Sequence, residues 1–334
     1  MGARSPPAPA FRYDARVADS PAPLIAGDVL TLPELRHLRR VSGLRGAGLV
    51  LHAWAVIIGA MGLYVAWPSA VTLVLAIALI GTRQLGLAVL MHEGTHWRLA
   101  SRPGVNTGIA RWLCAYPVGA DLGGYRRRHH LHHRHTRQAD DPDLGLAAPY
   151  PVARGVFWRD VLGDLTGATA CRRALAWRAP GGGGVAAVWS RWRGPLVANA
   201  VLLAALTALG HWRLYLLLWL VPLATWYQLV SRVRDIAEHA LASEDDDPLR
   251  NTRTVLAGFL ARTFVAPYWV NYHLEHHLLV FVPCWKLPEA HALLVAKGYR
   301  PRMEVAPSYA AVIRRATSSR AAPRSGSRSE MRPA

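Results

Sequence analysis

The residues of this sequence best suited to chemistry are its histidines, which number 15 in 334 residues. Three groups have the spacing of one helix face: His92 and His96 lie four residues apart, and two triplets lie at positions i, i+3 and i+4. The triplets are His129, His132 and His133, and then His273, His276 and His277. A ninth histidine, His239, follows Glu238. Clustered imidazoles are typical metal ligands, and nine exceed what one ion can take, so the sequence predicts two transition-metal ions.

A different chemistry is possible at the first group, because residues 92–96 match the HExxH pattern of zinc proteases. Glu93 would then be the general base, and a Glu93→Gln substitution should abolish nearly all turnover. This alternative leaves the two triplets without a role.

The three cysteines lie far apart without a CxxC pair, which argues against a structural zinc site or a disulfide framework and suits a reducing compartment.

The elements that must position these histidines are apolar, since 52% of the residues are hydrophobic and they are bunched along the chain. Four stretches approach the roughly 20 residues needed to cross a bilayer: 49–67, 70–91, 195–209 and 214–230. They read as two helical hairpins whose long polar connections share one side. Arg83 and Gln84 interrupt the second stretch, which indicates either a protein-lined or hydrated section or a buried polar role near the substrate.

The charge distribution gives the expected orientation. The net charge is +18, and 37 of the 39 basic residues are arginine, since only Lys286 and Lys297 are lysines. The arginines form no motif of a nucleic-acid module, so we expect no nucleic-acid partner. Instead the positive-inside rule places the connections, both termini and the histidines on the cytoplasmic side of the cell membrane. Segments 105–118 and 254–272 mix apolar residues with arginine and aromatic residues, which favours helices along the interface.

The predicted fold class is therefore all-α: an integral membrane helical bundle of about four transmembrane helices in two hairpins, capped by a cytoplasmic His-rich helical domain that holds two metal ions. Residues 1–45 form a partly disordered N-terminal arm, residues 46–316 the membrane domain, and residues 317–334 a disordered C-terminal tail rich in Ser, Arg and Pro.

The three boxes, HxxxH at 92–96 and HxxHH at 129–133 and 273–277, resemble those of the membrane fatty acid desaturase superfamily. Their context agrees, because Thr136 and the acidic run 140–143 follow the second box. The segment 271–277 looks like the third box of that family, and 234–239 is similar to a segment that supplies an isolated extra ligand. The resemblance spans roughly residues 48–313.

The resemblance implies a di-iron centre whose ligands are matched residue by residue. They are His92, His96, His129, His132, His133, His239, His273, His276 and His277. Asn271 occupies the place of a residue that reaches one iron through water, and Glu238 and Glu275 are expected to orient ligand imidazoles. The register of the second box stays open, because His130 and His135 crowd it. His291 is either a surface residue, the favoured interpretation, or a hydrogen-bond partner of the site.

The implied function is that of an O2-dependent, non-haem di-iron oxidoreductase, foremost a fatty acid or acyl-chain desaturase that introduces a C=C bond. A hydroxylase or ketolase of a lipid, carotenoid or secondary metabolite is the alternative. The sequence carries no fused electron-transfer module and no Gly-rich dinucleotide motif, so a ferredoxin or similar donor with its reductase is the expected partner. A metal-storing membrane protein, which would bind metal without consuming O2, is a third and weaker possibility.

Overall fold

The computed structural model describes residues 24–147, 149–176, 184–243 and 247–318. About half of the predicted arm and nearly all of the predicted tail, residues 1–23 and 319–334, lie outside the described residues. The part described is mostly helical, as predicted. Of the arm, residues 26–38 form helices that contact the body: Glu34 pairs with Lys297 at 3.0 Å, and Leu38 is fully buried.

The described residues form seventeen α-helices. The first eight are α1 (Ala26–Val29), α2 (Leu32–Leu38), α3 (Gly43–Ala66), α4 (Ala70–Thr95), α5 (Pro103–Ile109), α6 (Leu122–Arg134), α7 (Leu144–Ala147) and α8 (Arg154–Leu165). The others are α9 (Ala168–Ala176), α10 (Val185–Ala208), α11 (Trp212–Leu214), α12 (Val221–Ala224), α13 (Trp226–His239), α14 (Phe259–Phe264), α15 (His273–Leu278), α16 (Leu287–Ala296) and α17 (Tyr309–Ala316). Two π-helices (Ala110–Ala115, Tyr215–Leu220) and three 3-10 helices (Tyr116–Val118, Pro267–Trp269, Cys284–Lys286) complete the helical segments.

Three of the described helical segments are long and apolar enough to cross a membrane: Gly43–Ala66, Ala70–Thr95 and Trp212–His239. They contain three of the four predicted spans. The fourth predicted span, 195–209, lies within α10, which is 24 residues long but does not share this apolar character because its first half contains Arg191 and Arg193. Pro195 lies inside this helix.

The helix α4 is the centre of the fold. Ser69 caps its N-terminus by accepting from the backbone N–H of Thr72 at 3.2 Å. From Ile80 to Thr95 every residue except Ala88 is buried, so this half of the helix contacts protein on all sides. Several of its buried polar side chains hydrogen-bond to neighbouring elements: the Gln84 amide nitrogen, for example, donates to the Trp219 carbonyl at 2.8 Å.

The segment 254–272 differs from the single interfacial helix that we expected. It begins with strand β1 (Thr254–Val255), which pairs in parallel with β2 (Val305–Ala306), and continues through α14 and a 3-10 turn. Tyr268 and Trp269 both have left-handed backbone angles, with φ of 55° and 58°, which end helical continuity. The segment 105–118, by contrast, is helical throughout.

Candidate metal centre

Four elements bring the predicted ligands together at one end of α4. The last turn of α4 carries His92, and His96 follows it directly. The triplet of the second box lies on α6, whose N-terminus is capped by Asp121, and the third triplet lies on α15. The last residue of α13 is His239. Helical spacing turns the members of each box to a common face, and packing of the four elements turns these faces toward each other.

All nine predicted histidines fall into two adjacent groups. The first group is His92, His96, His129, His133 and His276, and the second is His132, His239, His273 and His277. Within each group one nitrogen of every ring lies within 4.8 Å of the others. The rings of His133 and His277, one from each group, have centroids 4.1 Å apart. Two neighbouring ion sites are therefore possible, one with five imidazoles and one with four.

The contacts inside the groups are nitrogen to nitrogen. The Nε2 atom of His276 lies 2.7 Å from Nε2 of His92 and 3.1 Å from Nε2 of His133. In the second group Nε2 of His273 lies 2.9 Å from Nε2 of His239. His277 Nε2, in the same group, is buried without a hydrogen-bond partner. Converging, buried nitrogen lone pairs are costly unless a cation satisfies them, so these residues fit two transition-metal ions.

Burial keeps these rings neutral and able to coordinate. It is the main reason that the pKa of His96 falls to about 3, with the nearby His130 adding to the effect. Burial and the neighbouring groups likewise hold the pKa of five other rings well below the usual range: those of His129, His133, His273, His276 and His277. A neutral imidazole offers one nitrogen lone pair, which is the form that binds metals.

The ring orientations are fixed by groups outside the two clusters. Asp141 Oδ1 lies 2.9 Å from His132 Nδ1, and both side chains are buried. Thr136 Oγ1 lies 3.1 Å from His277 Nδ1. The Tyr125 hydroxyl lies 3.3 Å from His92 Nδ1, and burial raises the pKa of this phenol far above its usual value. In each case the contact occupies Nδ1, which leaves Nε2 for an ion.

The three non-histidine residues that we expected at the site have different surroundings. Glu238 accepts from Arg234 Nε at 2.7 Å, and its other oxygen lies 3.5 Å from His273 Nε2. Glu275 meets no ligand ring among the described residues: it accepts from the Thr254 hydroxyl and lies 2.6 Å from His291 Nδ1. His291 is thus a largely buried partner of Glu275, not the surface residue we favoured.

Asn271 is buried, and its amide nitrogen donates to the Val255 carbonyl at 2.9 Å. Its Oδ1 atom is buried without a hydrogen-bond partner, so it is free to accept a hydrogen bond from a water molecule.

His130 and His135 belong to neither histidine group. His130 is exposed and stacks on His96, with centroids 5.7 Å apart.

Glu93 is not placed to act as a general base. Its side chain is buried, and Oε2 accepts from the backbone N–H of Cys284 at 2.9 Å. The cavity beside it measures only about 10 Å³, too little for a peptide. This geometry removes the support for the zinc-protease interpretation of residues 92–96.

A larger cavity of about 390 Å³ lies beside both histidine groups. Four ligand candidates reach its wall: His129, His132, His239 and His273. Apolar side chains such as Leu85 and Met91 line one part, and charged side chains line another. A substrate in this cavity would lie against the two groups at once.

Comparison with known proteins agrees with this geometry. Residues 65–307 match the family pattern of the fatty acid desaturases. The chain belongs to the fatty acid desaturase family. It is 28% identical to the dihydrorhizobitoxine desaturase of Bradyrhizobium elkanii over 239 residues, which is 66% of each chain. It is also 25% identical to the beta-carotene ketolase of Paracoccus sp. (strain PC1) over 244 residues, 72% of this chain and 86% of the ketolase. The family is one of membrane oxidoreductases, as the boxes predicted.

Sequence reasoning missed Tyr125 and could not choose among the aspartates after the second box. Tyr125 lies four residues before His129 on α6, and the two rings stack with centroids 5.2 Å apart. The i, i+4 spacing was a usable signal for this contact. The selection of Asp141 had no such signal, because it depends on the turn that follows α6.

Proposed function

We propose that this chain is an O2-dependent, di-iron membrane desaturase that introduces a C=C bond into an acyl chain, with the nine histidines as its iron ligands. The observation that carries the proposal is the pair of adjacent imidazole groups beside one cavity. Two irons, when bound, supply with O2 the oxidising power that no side chain has. The chain's own residues hold the substrate carbon in place and keep water out.

The parts of the cavity wall suggest how an acyl chain is oriented. Leu85, Ala88 and Met91 follow one another along α4 at the cavity wall, and Leu146 also lines it. They offer an apolar surface for methylene groups close to the ligand histidines. Tyr125 and Tyr227 add bulk to the same wall, and such bulk limits where a chain can bend.

A second candidate function is the hydroxylation or ketolation of a more polar substrate. It is favoured by the charged part of the wall, which includes Arg173, Asp235 and Glu238. A substrate with polar groups could hydrogen-bond to these side chains, which a bare hydrocarbon cannot. The two relatives, one named a desaturase and one a ketolase, make both reaction types reasonable.

We further propose that the histidines face the cytoplasm and that electrons arrive from a separate ferredoxin or similar protein with its reductase. Of the three arginines before the second box, Arg126 donates to the Gly94 carbonyl at 3.0 Å and Arg128 pairs with Asp143 at 2.7 Å. A carbonyl does not neutralise a guanidinium, so the charges of Arg126 and Arg127 both remain to steer an acidic donor, whereas that of Arg128 is offset. Full turnover by the purified chain with NADPH and O2 alone would contradict the proposal of a separate electron donor.

The test of the proposed function is mass spectrometry on cells that express the chain, grown under ¹⁸O2, with lipid and aqueous extracts analysed separately. A desaturase yields a lipid that lacks two hydrogens, whereas a hydroxylase or ketolase yields a product carrying ¹⁸O. The matched control is His276→Ala, which should insert normally and form no product. Unchanged extracts in both fractions, with a membrane-inserted and iron-loaded protein and a working donor, would refute the proposal.

A further inference from the structure

A second cavity, of about 270 Å³, lies away from the histidine groups and halfway along α4. Its wall is formed by Leu49, His52, Arg83, Arg262, Ala266, Tyr268 and Trp269. Two arginines and no carboxylate line it. The function proposed above assigns no role to this cavity.

Arg83 is an arginine buried without a counter-ion. Its side chain is 6% exposed, and its Nη2 atom donates to the carbonyl of Thr263 at 3.0 Å. The guanidinium lies 5.4 Å from the ring centroid of Tyr268. Its Nε atom is buried without a partner, and no carboxylate forms an ion pair with it in the described part of the chain. A buried cation with unsatisfied donors is unfavourable unless an anion completes it.

The other polar side chains of the cavity wall, like Arg83, carry N–H or O–H groups that can donate hydrogen bonds. Arg262 is exposed and forms no ion pair within the described ranges, so it adds a second uncompensated cation. The Tyr268 hydroxyl lies 3.1 Å from Nδ1 of His52. Guanidinium and hydroxyl donors around an apolar rim match a ligand oxyanion, which offers several acceptor lone pairs.

The position of the cavity indicates what carries this oxyanion. Arg83 lies nine residues before His92, so about 14 Å along the helix axis from the metal centre. The cavity lies where α3 and α4, two of the membrane-spanning candidates, meet the segment 262–269, and its wall includes Leu49. Along α3 the apolar side chains of Leu51 and Ile58 are exposed. A ligand with an anionic head and an apolar tail satisfies both the arginines and this face.

We propose that the cavity enclosed by α3, α4 and the segment 262–269 binds the phosphate or carboxylate head group of an anionic amphiphile, with Arg83 and Arg262 as its anchors. The ligand is either an anionic phospholipid or a fatty acid. This site needs no iron, so its test is independent of the oxidation chemistry.

The experiment measures ligand binding to the purified, delipidated full chain in an uncharged detergent by native mass spectrometry. The probes are phosphatidylglycerol, oleate, phosphatidylcholine and inorganic phosphate. We expect one bound phosphatidylglycerol or oleate per chain, with at least about tenfold weaker binding of phosphatidylcholine. Which of the two anionic probes binds more tightly identifies the source of the head group. Equal binding of phosphatidylcholine, or binding of inorganic phosphate as tight as that of either amphiphile, overturns the proposal.

The variants are Arg83→Gln and Arg262→Gln, with Arg111→Gln as the matched control. Arg111 is an exposed arginine on the π-helix outside the cavity. Loss of one charge-assisted contact should weaken binding about tenfold or more in the two cavity variants and leave the control unchanged. If Arg83→Gln fails to fold, Arg262→Gln decides the question, because its side chain is exposed. Binding to Arg262→Gln as tight as to Arg111→Gln overturns the proposal.

Discussion

The contact between Asp141 and His132 allows one iron site to be weakened without the other. Asp141 accepts at Oδ1 from the His132 ring and from the backbone N–H of Asp143 at 2.8 Å, and at Oδ2 from the N–H of Arg137 at 2.9 Å. The ring's Nδ1 therefore carries its proton toward the carboxylate. Its Nε2 lone pair then faces the four-histidine group.

An Asp141→Asn substitution keeps the size of the side chain and removes its charge. Hydrogen bonds between a neutral and a charged group contribute about 1.5–3 kcal/mol, which corresponds to roughly 10–100-fold in affinity. Both oxygens of Asp141 accept from N–H groups, so an asparagine must turn its NH2 toward one of these donors or offer the ring only an uncharged oxygen. Weakening such a contact to a ligand ring typically lowers metal affinity by this factor. Neither oxygen of Asp141 contacts a member of the five-histidine group. We therefore expect one iron of unchanged affinity and one that binds about 10–100-fold more weakly.

The assay is an anaerobic Fe(II) titration of the purified chain against a competing chelator, with ⁵⁷Fe Mössbauer spectra to count the sites. Asp140→Asn is the matched control, because the neighbouring carboxylate is exposed and undergoes the same chemical change. Two irons of wild-type affinity in Asp141→Asn would refute the argument. Equal losses at both sites would also refute it, since the effect is predicted to be local.

Three further predictions concern other parts of the site. Glu93→Gln should retain most turnover in a product assay, because the amide oxygen still accepts the hydrogen bond at this position. Gly94→Ala should lower both the melting temperature and the iron content, since its Cβ would lie 2.2 Å from a neighbouring side chain, whereas Gly104→Ala has open space and should change neither. In the metal-free protein the lowered pKa of His96 gives stability that is present above pH 6.5 and lost as the pH falls toward 3. This one ring should lower the free energy of unfolding by about 2 kcal/mol between pH 7.5 and pH 5, so the loss measured over that range should be about 2 kcal/mol smaller in His96→Asn, in which the other buried rings still titrate.

The grouping of the nine histidines could be predicted because it depends mainly on local geometry. Spacing of three and four residues places side chains on one helix face whatever the helix later contacts. His239 was the exception, since it stands alone and was assigned only through the resemblance. Which histidines share an ion was beyond the sequence: His132 and His133 are neighbours in the chain but belong to different groups.

The partners of the histidines were harder to predict. Glu275 lies two residues after His273, and two residues turn an α-helix by about 200°, so the carboxylate points away from the ligand face. The helical period alone argued against our expectation for Glu275. Asp141, by contrast, depends on the turn after α6, where Arg137 has a left-handed φ of 64°. No spacing rule chooses between Asp140, Asp141 and Asp143 in such a turn.

Hydropathy identified α4 as a membrane span, but it could not show which of its residues contact lipid and which contact other parts of the protein. An apolar helix suits either environment, and two thirds of the most apolar window of α4 is in fact buried inside the protein. This burial explains why polar residues are tolerated there. Thr82 and Gln84 donate to carbonyls of other elements, and His92 joins the metal centre. Arg83 stands in the same helix with its charge unpaired among the described residues. Gln84 Oε1 is also buried without a partner, but Arg83 carries the one guanidinium in this half of α4, so an anionic ligand outside the chain is its most economical counter-ion.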